Sequence, residues 1–205
     1  MMARIAAAIV ALTALTGLII QFRVTHGQTG SVSATLWILV RFFTILTNMV
    51  VALTLMALAA GQRVTPRWTG GIILAILLVG IVAATLLRGL LHLDGTALLA
   101  DTLLHKATPL LTLCWWLGFA HKGRLRRSDP WIWTLFPALY LPYALLRGVM
   151  EGIYAYPFIN VAKLGIGQVL ANALMIAIAF VIAGHALVWI DRQLSARPSR
   201  LRPTR

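Results

Sequence analysis

Acidic side chains and cysteine are scarce in this chain, which holds five Asp and Glu residues and one cysteine among 205. A single cysteine, Cys114, excludes an intrachain disulfide and the metal patterns built on paired cysteines. His26, His92, His105, His121 and His185 form no HxxH or HExxH spacing, so no metal site is expected. Charged residues of both signs reach only 11%, against roughly a quarter in a soluble domain. With 60% hydrophobic residues, the chain has more apolar surface than one water-soluble core can hide. The composition is that of an integral membrane protein.

What charge there is lies heavily on one side, at a formal +13. Such an excess also fits nucleic acid, but here the basic residues stand at the ends of apolar runs, where they act as topology signals. No nucleic-acid partner is expected.

A helix needs about 20 predominantly apolar residues to cross the hydrocarbon core. Six segments qualify, at 4–22, 34–60, 68–89, 97–119, 131–150 and 168–190. Breaks fall at "GQRVTPR", "LHLDGT", "HKGRLRRSDP" and "EGIYAYPFINVAKLG". The expectation is an all-α bundle of six transmembrane helices over 1–192, followed by a basic disordered tail at 193–205. The first segment also has the look of a signal peptide, but no small-x-small site follows "GLIIQFRVTHG", so it is read as retained. No internal repeat is visible.

Arg4, Arg63, Arg67, Lys122, Arg124, Arg126, Arg127 and five arginines from Arg192 onward fall on one side of this topology. They are twelve of the eighteen basic residues. Arg23, Arg88, Arg147 and Lys163 fall on the other. The excess of basic residues puts both termini in the cytoplasm and, for a bacterial chain, the protein in the inner membrane.

The segment "LVRFFTILTNMVVALTLMAL", residues 39–58, is apolar yet carries Arg41, Thr44, Thr47 and Asn48. At about 100° per residue, Arg41, Thr44 and Asn48 share one face of a continuous helix. Asp101, His105, Thr108 and Thr112 share another, at nearly the same depth. Tyr143, Arg147 and Glu151 form a third stripe, and Gln168 and Asn172 a fourth. Ionisable groups facing lipid are costly, so these stripes predict one polar cavity opening toward the periplasmic leaflet. Pro109 predicts a kink that frees the His105 carbonyl.

A threonine hydroxyl becomes a nucleophile only when a base takes its proton, and histidine is the usual base near neutral pH. Thr44, His105 and Asp101 supply nucleophile, base and orienting carboxylate, the last two at i, i+4. Arg41 would bind a substrate carboxylate or pair with Asp101 or Glu151. Blander roles also fit. Threonines in membrane helices bond to their own i−4 carbonyls, Arg147 and Glu151 suit a structural ion pair, and Asn48, Gln168 and Asn172 suit interhelical hydrogen bonds.

"RFFTILTN", "LLHKATPLL" and "YAYPFIN" resemble, in order and spacing, the androgen-induced membrane proteins, a family that includes the androgen-dependent TFPI-regulating protein. The resemblance covers roughly residues 30–190. Eukaryotic members are multi-pass threonine hydrolases acting on fatty acid esters of hydroxy fatty acids. The resemblance implies Thr44 as nucleophile, with Thr47 as the near alternative, and His105 as base. It places Tyr156–Pro157–Phe158 at the outer mouth. The resemblance does not supply Asp101, whose orienting role rests on helix geometry alone.

The expected function is therefore an intramembrane lipid-ester hydrolase without cofactor or metal. Thr44, His105 and Asp101 would be catalytic, and Arg41, Asn48, Arg147, Glu151 and Tyr156 would bind substrate. The expected partners are a lipid ester and membrane lipids, with the acyl tail among the second, fourth and fifth spans. The alternative is a non-enzymatic small transporter or lipid-binding protein using the same cavity. A third reading is a structural subunit docking through the basic 120–130 loop.

Overall fold

The computed structural model describes residues 1–89 and 93–196, and among these the regular structure is helical throughout. In chain order the helices are α1 (Met2–Thr29), α2 (Val32–Leu39), α3 (Phe43–Ala59), α4 (Pro66–Thr85) and α5 (Gly95–Thr102). They continue as α6 (Thr108–Phe119), α7 (Asp129–Trp133), α8 (Leu135–Glu151) and α9 (Val161–Ser195). A π turn, Leu103–Ala107, joins α5 to α6, and a 3-10 turn, Pro157–Ile159, precedes α9.

The helix ends follow local chemistry. Ser31, Thr65 and Asn160 cap α2, α4 and α9 by accepting from the N–H groups of Ala34, Trp68 and Lys163. Gly30 and Gly152 close α1 and α8 in the left-handed region, at φ 66° and 69°. Residues 193–195 still belong to α9, and residues 197–205 lie outside the described residues, as do residues 90–92 within the "LHLDGT" break.

Among the described residues, four stretches are long and apolar enough to cross a membrane: Met2–Thr29, Pro66–Thr85, Asp129–Glu151 and Val161–Ser195. The expected single helix at 34–60 is instead the pair α2 and α3, bent by 95°, which makes a fifth candidate if counted as one crossing. The bend exposes backbone carbonyls, and lipid offers them no partner. Side chains of α8 supply it. Arg147 Nη1 donates to Trp37 O (2.9 Å), Tyr143 OH to Val40 O (3.1 Å) and Tyr140 OH to Arg41 O (2.7 Å). Backbone N–H groups fill the carbonyls of Leu36, Ile38, Leu39 and Phe42. Every carbonyl from Leu36 to Phe42 is therefore bonded, and the break needs no proline or glycine.

The core is built on close helix approach. Ala7, Val10, Ala11 and Ala14 of α1 pack in one buried cluster with Val51, Ala52 and Leu55 of α3 and Ile72–Ile76 of α4. Small residues on α1 let the backbones come near, as in membrane bundles. Outward-facing side chains are apolar too: Leu139 is 70% exposed and Leu174 61%. Water would penalise such a surface, whereas acyl chains solvate it.

The segments that hold the basic loops meet at one end of the bundle. Arg4 Nε donates to Ala59 O (2.7 Å), Trp115 Nε1 to Ala3 O (3.1 Å) and Arg67 Nε to Asp129 Oδ1 (2.7 Å). Leu125 N donates to the fully buried Asp191 carboxylate (3.0 Å), which ties the 120–128 loop to the end of α9. Asp129 and Asp191 are structural anchors that the sequence pattern did not single out.

Candidate active site

Toward the opposite end, the α2–α3 break and the π turn face each other. Because the chain restarts as a helix at Phe43, Thr44 lies in the first turn of α3. The π turn has its own local cause. Pro109 has no N–H for the His105 carbonyl, and Thr108 N–H reaches back five residues to Leu103 O. The widened turn carries His105 toward α3.

Thr44 Oγ1 lies 3.2 Å from His105 Nε2. On the other side of the ring, His105 Nδ1 lies 2.9 Å from Asp101 Oδ1. Asp101 therefore holds the proton on Nδ1 and leaves the Nε2 lone pair for the threonine hydroxyl. Thr44 is 7% exposed, while the Asp101 carboxylate is 29% exposed, with Lys106 Nζ at 4.0 Å from its second oxygen. The three residues form a linear relay from buried hydroxyl to half-exposed carboxylate.

Asn48 stands one turn beyond Thr44 and braces this meeting point. Its Nδ2 donates to Thr44 O (2.8 Å) and to Leu104 O in the π turn (3.3 Å). Two glycines make room for the same turn. A Cβ on Gly17 of α1 would lie 2.8 Å from the Leu104 side chain, and one on Gly80 of α4 would lie 3.1 Å from His105 O.

Tyr156 completes the neighbourhood. Its hydroxyl lies 3.4 Å from Thr44 N, which donates to it, and 3.5 Å from Thr44 Oγ1. Burial pushes its phenol above the ordinary tyrosine value, so the hydroxyl keeps its proton. The ring stacks on Phe158 at 5.2 Å and meets Phe42 edge-on at 6.0 Å.

The expectation of one polar cavity is corrected here. The cavity of about 380 Å³ beside Thr44 is lined almost wholly by apolar side chains of α4, α8 and α9, among them Val79, Leu141, Ala173 and Ala177. Its walls come from the third, fifth and sixth expected spans, with Phe43 and Thr44 of the second at one side, and the fourth contributes no lining residue. Thr44, Tyr140 and Tyr156 reach its wall, whereas His105 and Asp101 lie behind Thr44. The remaining polar stripes have other partners.

Glu151 gathers both arginines. Its Oε1 accepts from Arg147 Nε (2.7 Å) and its Oε2 pairs with Arg41 Nη2. Arg41 thus takes the Glu151 alternative rather than Asp101, and neither arginine lines the cavity. Arg41, Arg147 and Glu151, expected to bind substrate, form an ion-paired clasp, from which Arg147 also holds the Trp37 carbonyl of α2. Gln168 and Asn172 form a second clasp: Gln168 Nε2 donates to Asn172 Oδ1 and Asn172 Nδ2 to Phe158 O, both at 2.9 Å. Thr47 is buried at 1% exposure, and its hydroxyl has no hydrogen-bond partner among the described residues.

No family model, curated protein or solved structure matches this chain. Its class is defined by the fold and the side chains themselves: among the described residues, helices throughout, four or five of them of membrane length, and a Thr–His–Asp relay beside an apolar cavity.

Proposed function

We propose that the protein is an intramembrane lipid-ester hydrolase with Thr44 as nucleophile, His105 as general base and Asp101 as the group that orients the base. The observation that carries this reading is the hydrogen-bonded chain Thr44–His105–Asp101 ending at the wall of a 380 Å³ apolar cavity. A base within hydrogen-bond reach of the hydroxyl, with a third group fixing its tautomer, is the arrangement that activates a threonine.

An acyl chain enters the cavity among α4, α8 and α9 and brings its ester carbonyl to Thr44. His105 Nε2 takes the hydroxyl proton as Oγ1 bonds to the carbonyl carbon and the π pair moves onto the carbonyl oxygen. Collapse of that oxyanion breaks the bond to the alcohol, which leaves with the proton from His105. Water then attacks the acyl-threonine, again giving its proton to His105, and the acid departs as Thr44 regains its hydrogen. No metal or cofactor is required.

The same reading places the protein in the bacterial inner membrane with both termini cytoplasmic and the relay toward the periplasmic leaflet. Its support is the excess of basic residues at the end opposite the relay. Six crossings would include the α2–α3 pair and the helical run from Gly95 to Phe119. Fatty acid esters of hydroxy fatty acids are one substrate class, suggested by the resemblance of "RFFTILTN" and "LLHKATPLL" to the androgen-induced membrane proteins. The alternative, lipid binding without turnover, draws on the apolar lining of the same cavity.

Labelling of the purified protein with a lipophilic fluorophosphonate tests the proposal. Wild type is expected to label at Thr44, with loss of the label in Thr44→Ala and His105→Ala proteins that still unfold cooperatively. A label that persists in Thr44→Ala removes this residue from the chemistry, and binding of an ester without turnover by wild type selects the alternative.

A further inference from the structure

The acyl transfer proposed above needs a donor for the oxyanion, and two polar side chains close to Thr44 in sequence already have other partners. Asn48 spends its amide on Thr44 O and Leu104 O, and Arg41 is paired with Glu151. Two phenols reach the cavity wall near Thr44. Tyr140 donates its hydrogen to Arg41 O at 2.7 Å. Tyr156 instead accepts from Thr44 N and stands 3.5 Å from Thr44 Oγ1, so its own hydrogen can turn from that oxygen to a carbonyl oxygen bound beside it.

We infer that Tyr156 is a catalytic residue of this site, its phenolic O–H donating to the ester carbonyl oxygen as that oxygen takes up negative charge. The inference rests on the hydrolase reading. Its geometric basis is that one hydroxyl lies 3.5 Å from the attacking atom and 3.4 Å from the Thr44 amide. A carbonyl under attack by Thr44 Oγ1 must present its oxygen within a few ångströms of that atom, inside the reach of the phenol. The Thr44 N–H opens α3 and carries the partial positive charge of a helix N-terminus. Donation from it to the phenol oxygen polarises the O–H and makes it a stronger donor.

The phenol is also held in place, as an oxyanion donor must be before the charge appears. Its ring is fixed between Phe158 and Phe42. Phe158 is fixed in turn by the Gln168–Asn172 clasp at its carbonyl. Two polar residues of α9 that face neither the relay nor the cavity thereby act as positioning residues for Tyr156.

Tyr156→Phe keeps the stacking and removes only the hydroxyl. Loss of a preorganised oxyanion donor lowers turnover by about 10²- to 10³-fold. The expected result is a fall of that size in fluorophosphonate labelling rate and in kcat, with KM within about twofold of wild type and cooperative unfolding preserved. A Tyr156→Phe protein that labels at the wild-type rate, beside an unlabelled Thr44→Ala, overturns the role of Tyr156 and leaves the hydrolase reading standing. A raised KM with unchanged kcat overturns it equally, since that is the signature of a binding contact alone. A wild-type protein that neither labels nor turns over an ester overturns both. Should Tyr156→Phe fail to fold, 3-fluorotyrosine incorporated at position 156 keeps ring and hydroxyl, and its more acidic phenol is expected to raise the labelling rate. An unchanged or lower rate overturns the inference.

Discussion

The carbonyl of His105 faces Gly80 so closely that a Cβ on the glycine would lie 3.1 Å from the oxygen. That carbonyl is the one Pro109 leaves without its usual helical donor, and the π turn turns it toward α4. Position of the imidazole and identity of residue 80 are thus coupled through backbone, which cannot yield as a flexible side chain can. Gly80→Ala is expected to cost about 1–2 kcal/mol of stability through overpacking and to reduce labelling at Thr44 by about tenfold. Thermal unfolding and labelling rate on the same preparation check this, and Gly118→Ala, where a Cβ would meet nothing within 4 Å, serves as the control.

His105 Nδ1 has the Asp101 carboxylate at 2.9 Å and the Asp101 backbone carbonyl at 3.3 Å, so replacing the carboxylate isolates what it adds to the orienting role. Asp101→Asn preserves the shape but offers a side-chain amide whose N–H can hold the imidazole in the wrong tautomer. Its carboxylate is 29% exposed, so water competes for the Nδ1 proton and softens the loss. A fall of about 10²-fold in kcat with little change in KM is expected, read from steady-state ester hydrolysis. Near-wild-type kcat would reduce Asp101 to a surface partner of His105 and Lys106.

The relay was legible in the sequence because its elements are local or depth-matched. Asp101 and His105 sit at i, i+4, and Thr44 and His105 lie at similar depths on helices expected to run the same way. The break at residues 40–42 was not legible, since "LVRFFT" contains neither glycine nor proline. It is held by Tyr140, Tyr143 and Arg147, about a hundred residues away. That break separates Arg41 from the face of Thr44 and Asn48, which a continuous helix would have shared, and so directs the arginine to Glu151. The cavity was illegible for a different reason. Leu78, Val79, Ala173 and Ala177 look the same in sequence whether they face lipid or line a pocket, and only the spacing of α4, α8 and α9 decides.

Glu151 is the counter-charge for two arginines whose side chains are 9% and 5% exposed. Taking away one partner of a buried ion pair strands the other charge, at a cost of about 3–5 kcal/mol. The carboxylate here is 20% exposed, so Glu151→Gln is expected near the lower figure. Arg147 also bonds Trp37 O, so the bend between α2 and α3 should loosen with it. Thermal unfolding in detergent reads the stability. Faster hydrogen exchange at residues 37–44 than in the rest of α2 and α3 would tie the loss to the break.

The cavity dimensions lead to a prediction about chain length. Ala173 and Ala177 lie one turn apart on α9 and both line the space beside Thr44. The side chain of Ala177→Phe would project into that space from the α9 wall, whereas the relay members stand on α3, α5 and the π turn. Each methylene denied burial loses about 0.8 kcal/mol of binding, close to fourfold in kcat/KM. Ala177→Phe is therefore expected to hydrolyse acetyl and butyryl esters at the wild-type rate and to lose activity progressively on longer chains, by at least 10²-fold for those that fill the wild-type cavity. Comparing kcat/KM across a homologous series of uncharged esters measures this. A uniform drop at every chain length would mean that the acyl group is held elsewhere, and that the space among α4, α8 and α9 is filled by lipid rather than substrate.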